Sequence, residues 1–214
     1  MKKWLKSYLA FTSRFYRTAV CLLLPGGLIA VGFKWRNLGS AMAPALGAAL
    51  ICAEVVADNW LFGGIHKAGG IKLDYLRTSG RGPALLKRAL VMDLARRFAA
   101  AALVYGAGCL LTETSGRGLG LELFAGIGFT LFGVLTSGLF AGLGIFFSRY
   151  GDMLWINMIT GYGAAVLGIL CWSLPGLLEY IWFYNLFFAV LGLLCGCLTV
   201  NTAMKKLEGS YYGK

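Results

Sequence analysis

The chain has 214 residues, 58% of them hydrophobic and 14% charged, with a formal net charge of +11 and a mean hydropathy of +0.72. Its apolar residues fall in long runs rather than at amphipathic spacing, which excludes a soluble domain and marks membrane spans. The positive charge would point to nucleic acid in a soluble protein, but here it sits between the spans and at the ends, so membrane lipid is the expected partner and nucleic acid is not.

The first segment, 2–15, interleaves Trp4, Leu5, Tyr8, Leu9, Phe11 and Phe15 with Lys2, Lys3, Lys6 and Arg14, the pattern of an amphipathic helix lying in the membrane interface. No small-residue cleavage site follows it, so no cleavable signal peptide is expected. Six spans are expected near 16–33, 41–62, 90–112, 119–147, 153–174 and 177–203, each long enough or nearly so to cross about 30 Å of hydrocarbon. Pro25, Gly26 and Gly27 predict a break in the first. The expected fold class is therefore all-α, a single polytopic transmembrane domain over 1–214.

Sidedness follows from the cations. With the N-terminus in the cytoplasm, only Lys34, Arg36 and Arg117 of the 20 Lys and Arg fall outside, a strong positive-inside signal that also places the C-terminus in the cytoplasm. The expected location is the bacterial inner or plasma membrane, with several passes.

The segment 63–97 is the least ordinary part of the chain. It carries Lys67, Lys72, Arg77, Arg81, Lys87, Arg88, Arg96 and Arg97 against only Asp74 and Asp93. Residues 71–77 predict a short helix, 78–82 a break, and Pro83 the first turn of a new long helix. That helix is expected to run to about Leu111, roughly 43 Å at 1.5 Å per residue, so its first two turns stand in the cytoplasm as part of a loop over 63–89. Lys87, Arg88, Asp93, Arg96 and Arg97 read as spread around its circumference. Arg96 and Arg97 must then snorkel to the headgroups or pair inside the bundle.

Span two offers partners for them. Glu54 and Asp58 are four residues apart and share one helix face, and Asp58 lies at a depth similar to that of Arg96 and Arg97. The expectation is an intramembrane pair of Asp58, with Glu54 as a second candidate, and Arg96 or Arg97. Its role is either to lock spans two and three or, through Glu54, to relay protons. Exchange of Asp58 and Arg97 is expected to restore what either single change loses.

Span four is rich in glycine, and Gly138 and Gly142 form a small-xxx-small pair that permits close helix approach, within the bundle or against a second protomer. Asn157, Thr160, Asn185 and Asn201 are scattered polar residues that either line a path or bond across helices. The six cysteines lie in apolar runs and read as small packing residues. Enzyme chemistry finds no support: His66 is the single histidine, no zinc-protease or phosphate-loop motif occurs, and neither metal nor cofactor is expected on this chain.

An amphipathic N-terminal helix, six spans with both ends inside, and a cytoplasmic helix between spans two and three form a layout that resembles the membrane subunits of ABC-2 type transporters. The residues carrying the resemblance are Lys72, Leu73, Asp74, Tyr75, Leu76 and Arg77, followed by Thr78, Ser79, Gly80, Arg81, Gly82 and Pro83. The resemblance implies that the first six form a coupling helix docking on a separate ATPase subunit, which holds the ATP. It also implies a second permease protomer, identical or a sister chain, completing the path. Many members carry re-entrant helices between spans five and six, for which residues 173–179 leave almost no room. Two other readings stand beside it: an ion- or proton-coupled secondary transporter using Glu54 and Asp58, and a non-transporting scaffold whose basic loop holds anionic headgroups.

Overall fold

The computed structural model describes residues 2–58, 61, 74–76, 78–114, 126–144, 150–174 and 179–209. His66, Lys67, Lys72, Leu73, Arg77 and Arg117 lie outside the described residues. Everything described is helix or short connection. The helices are α1 (Lys2–Phe11), α2 (Arg14–Lys34), α3 (Met42–Ala57), α4 (Gly82–Thr114), α5 (Ile127–Gly144), α6 (Tyr150–Ser173) and α7 (Ile181–Gly209). Of these α2, α4, α5 and α7 contain segments long and apolar enough to cross a membrane, while α3 and the Leu154–Leu170 part of α6 are apolar but shorter.

The break expected at Pro25 is absent. Ser13 caps the start of α2 by accepting the Tyr16 amide at 3.1 Å, and the helix then runs through the proline. Proline removes one donor and its ring crowds the preceding turn. The chain accommodates both by widening to π-helical turns over Thr18–Leu23, after which α-helix resumes at Leu24 with Pro25 in its first turn. The reversal into α3 uses a 3₁₀ segment, Arg36–Ala41, in which Gly39 adopts φ 60°, a conformation open to glycine and strained for other residues. Thr112 of α4 donates to the Gly39 carbonyl at 3.1 Å and pins this corner.

The centre of the bundle is α5. It packs against α3, α4, α6 and α7, and its apolar window is 72% buried, against 22% for α7 and 17% for α2. Glycine makes that position possible: a Cβ on Gly142 would sit 2.7 Å from the Thr199 side chain of α7. The outer faces of α6 and α7 display Trp155, Ile159, Val166, Phe183, Leu186 and Phe187, as expected of surfaces solvated by hydrocarbon.

Helix α1 packs on α4 with its faces reversed from those of a helix on a soluble core. Ser7, Tyr8 and Thr12 are buried, while Trp4, Leu5 and Leu9 are exposed beside Lys3 and Lys6. The apolar and basic sides remain free for a membrane interface, and the polar side serves the interior.

Among the described residues two large apolar clusters and a small third one, of Ala43, Tyr105 and Cys109, occupy the core. One large cluster gathers Tyr16, Leu61, Leu76, Leu86, Leu90 and Leu207 around the root of α4. The other gathers Met42, Leu50, Ile51, Val104, Leu131 and Leu135 further along. On α4 the first cluster ends at Leu90 and the buried members of the second begin at Ala100. The interval is filled by charge.

Candidate functional site

Asp93, Arg96 and Arg97 are spaced i, i+3 and i+4, so their side chains leave α4 on one arc. They converge inward, while the five charged residues together spread around the helix as expected from the sequence. Lys87 is exposed and Arg88 half-buried on the other side. Opposite the arc stand Glu54 on α3 and Asp58, the residue that ends α3 and whose amide bonds back to the Glu54 and Val56 carbonyls. Glu54, Asp58, Asp93 and Arg97 are all buried, Arg97 with no exposure at all.

Each guanidinium has a principal carboxylate and shares Asp93. Arg96 grips Glu54 in a two-pronged pair, Nη1 to Oε1 at 2.6 Å and Nη2 to Oε2 at 2.9 Å. Its Nε donates to Asp93 Oδ1 at 3.1 Å and its Nη2 also to the Tyr16 hydroxyl at 3.3 Å. Arg97 donates through Nε to Asp93 Oδ2 at 2.8 Å and through Nη1 to Ser137 Oγ at 2.9 Å and the Val134 carbonyl at 3.3 Å. Its Nη2 donates to Asp58 Oδ1, and Glu54 Oε2 lies 3.5 Å from Nη1. Ser137 donates to Asp58 Oδ2, which also accepts from Asn157 Nδ2 at 2.9 Å.

The fork shape of arginine explains this use. Its five donors lie in one plane and can satisfy several acceptors at once, which a lysine ammonium on a flexible stem does not reproduce. Gly138 belongs to the same device. A Cβ there would meet Arg97 Cδ and Nε at 3.1 Å, so glycine opens the lane by which Arg97 crosses α5. Gly138 and Gly142 are both buried within the chain, one facing an arginine of α4 and the other α7.

The network reaches α1 as well. The Tyr8 hydroxyl donates to Asp93 Oδ1 at 3.1 Å. Burial, and then the neighbouring Asp93 carboxylate, push this phenol well above the ordinary tyrosine range, so it stays protonated and remains a donor. Tyr8, Tyr16, Glu54, Asp58, the arc of α4, Ser137 and Asn157 thus tie six helices together; α7 joins by packing on α5.

Glu54, Asp58, Arg96 and Arg97, expected to meet, are brought together. The sequence reading missed Asp93, which bonds both arginines, and the i, i+3, i+4 spacing was the signal available for it. Nothing local announced Tyr8 or Ser137. Among the scattered polar residues, Asn157 joins the network and Asn185 Oδ1 accepts the Gly128 amide. Thr160 bonds back to the Ile156 carbonyl at 2.9 Å, and Asn201 is exposed.

At the root of α4 the turn 74–76 is helical, and it corrects the expected docking surface. Tyr75 is 73% exposed, but Leu76 is buried in the cluster with Leu86, Ala89 and Leu90. Leu76 is therefore a foot standing on the bundle, not an anchor offered outward. The connection is tight: the Ser79 amide donates to the Tyr75 carbonyl at 3.0 Å and the Gly82 amide to the Ser79 carbonyl at 3.0 Å. Leu76 O approaches within 1.9 Å of where a Gly82 Cβ would stand, so only glycine fits.

Comparison with protein-family models, with curated proteins and with solved structures finds no match.

Proposed function

We propose that the chain is the membrane permease subunit of an ATP-driven, ABC-type exporter. It crosses the cell membrane six times with both ends inside, forms a path with a second permease protomer, and is driven by a separate ATPase that binds the ATP. The observation that supports this most is the seating of the 74–76 turn. Tyr75 points outward while Leu76 locks the turn onto the first two turns of α4, so a force applied at Tyr75 enters α4. Less than three turns further along, Asp93, Arg96 and Arg97 bond α4 to α1, α2, α3 and α5, and Asp58 extends the network to Asn157 of α6. A docking element rigidly joined to a cross-braced bundle can bias a two-state rocking equilibrium, whereas a lipid-holding loop needs charge and no such register.

The proton-coupled reading fares less well on the same geometry. A relay needs a carboxylate that exchanges with water, and Glu54 is fully buried with both oxygens held by Arg96.

The test is affinity purification from native membranes. An ATPase subunit is expected to accompany the wild-type chain. Tyr75→Ala should lower its recovery by about tenfold or more, as truncation of an aromatic anchor does, while Lys72→Ala leaves it nearly unchanged. Recovery of no ATPase, or loss that tracks the charge removed in Lys72→Ala and Arg81→Ala, would show that the loop serves lipid binding instead.

A further inference from the structure

On the side of α4 away from the ion network, an apolar groove of about 450 Å³ runs between α4 and α7, with Leu135 of α5 at its floor. Val91, Leu94 and Phe98 form one wall and Leu193, Cys197 and Val200 the other. The volume lies within the range of about 300–1,000 Å³ usual for small-molecule sites. The groove exists because of Gly196: the nearest atom to a Cβ there is Leu94 Cδ1 at 3.7 Å, so a larger side chain would fill the space without striking backbone. Among the described residues that line it, the polar side chain is Asn201, at one end.

That end is also where the charge lies. Val91, Leu94 and Phe98 share a helix face with position 87, one turn nearer the start of α4. Lys87 occupies it and is exposed. On α7, which runs the other way, the turn beyond Asn201 carries Lys205, also exposed. Glu208 follows a further turn out, beyond the level of the two lysines. A hydrocarbon trough about two turns long therefore ends at an amide and two ammonium groups.

We propose that this groove is a resident site for one anionic phospholipid, its acyl chain along Leu94, Phe98, Leu193 and Cys197 and its phosphate at Lys87, Lys205 and Asn201. The complementarity is what decides the occupant. A neutral lipid or a neighbouring helix uses the trough and gains nothing from the lysines, whereas an anionic headgroup joined to an acyl chain uses both. The site is separate from the ion network and from the docking turn, and it does not depend on the transport reading.

The test uses the full chain, reconstituted in nanodiscs of mixed phosphatidylglycerol and phosphatidylcholine, with a phospholipid probe carrying a diazirine in its acyl chain. Probe with the glycerol headgroup should label 91–98 and 193–201 in preference to the choline probe. Lys87→Gln with Lys205→Gln should reduce that preference about tenfold to thirtyfold, following the charge removed. Gly196→Leu should abolish labelling in the groove while leaving labelling of the outer face of α6 unchanged. Equal labelling by both probes, or a preference untouched by the double lysine change, overturns the proposal and leaves the groove as part of the ordinary lipid annulus. Both sets of variants alter exposed or groove-lining positions, and the unfolding midpoint of each, measured alongside, should match the wild type. If a variant does not fold, protection of Cys197 from maleimide in the wild type by phosphatidylglycerol but not by phosphatidylcholine decides the matter in the same direction.

Discussion

Replacing Arg97 with Met is expected to cost about 3–5 kcal/mol, the range for breaking a buried ion pair from one side. The substitution keeps much of the volume and removes the charge, so packing loss does not explain the effect. What remains is worse than a missing bond. Asp93 Oδ2, Asp58 Oδ1, Ser137 and the Val134 carbonyl all lose a donor, and Asp58 and Asp93, both buried, lose a cation that faces them. Against a total stability of roughly 5–15 kcal/mol, the variant should accumulate poorly and lose most of its cooperative unfolding transition in detergent. Arg97→Lys should fall between the two, since one ammonium cannot serve acceptors on three helices at once.

The second large effect is expected at Gly128. A Cβ there would lie 2.0 Å from the Asn185 carbonyl oxygen and 2.5 Å from its Oδ1, and the first of these belongs to the backbone of α7. Gly128→Val must push α5 and α7 apart, breaking the Gly128 amide bond to Asn185 as well. Overpacking of this kind costs about 1–3 kcal/mol, and more where backbone has to move. The control is Gly106→Ala on α4, where, among the described residues, nothing beyond the helix's own backbone comes within 4 Å of the added Cβ. There the change should be neutral or stabilising by about 0.5–1 kcal/mol, the usual helix-interior gain over glycine. Chemical unfolding of both variants in mixed micelles separates the two outcomes.

These two positions show what sequence alone reveals and where it stops. Helix positions are legible because hydrocarbon demands long apolar runs. Helices stand where spans are expected near 41–62, 153–174 and 177–203, at Met42–Ala57, Tyr150–Ser173 and Ile181–Gly209, and of these Ile181–Gly209 contains a segment long and apolar enough to cross a membrane; the long helix opening at Pro83 begins at Gly82. Which of the glycines in α5 carries the close approach is not legible, because the periodicity of one helix says nothing about what stands opposite. Gly138 and Gly142 match the pairing motif, yet Gly128, outside it, meets backbone. Pro25, Gly26 and Gly27 predict a break because such residues usually interrupt helices; the π-helical turns that absorb the proline depend on the fold around them.

The ion network was half legible for a similar reason. Depth and residue type bring Glu54, Asp58, Arg96 and Arg97 together, since a buried charge has few alternatives to a partner. The division of labour is tertiary information: Arg96 takes Glu54, Arg97 takes Asp58, and both take Asp93. It also changes one expectation. Exchanging Asp58 and Arg97 would set a new carboxylate four residues from Asp93 and close to Glu54, so the exchange should fail to restore the fold even though the two residues are paired.

A double-mutant cycle is the appropriate measurement, with Asp58→Asn and Arg97→Met made singly and together and unfolding free energies determined in one detergent system. If this network is what binds α3 to α4 and α5, the double variant should be less damaged than the sum of the singles. The coupling energy should then be at least about 1.5 kcal/mol, within the range of contacting residues in one network. Additivity to within about 0.5 kcal/mol would mean that the two residues act independently and that the cross-brace does not hold the bundle.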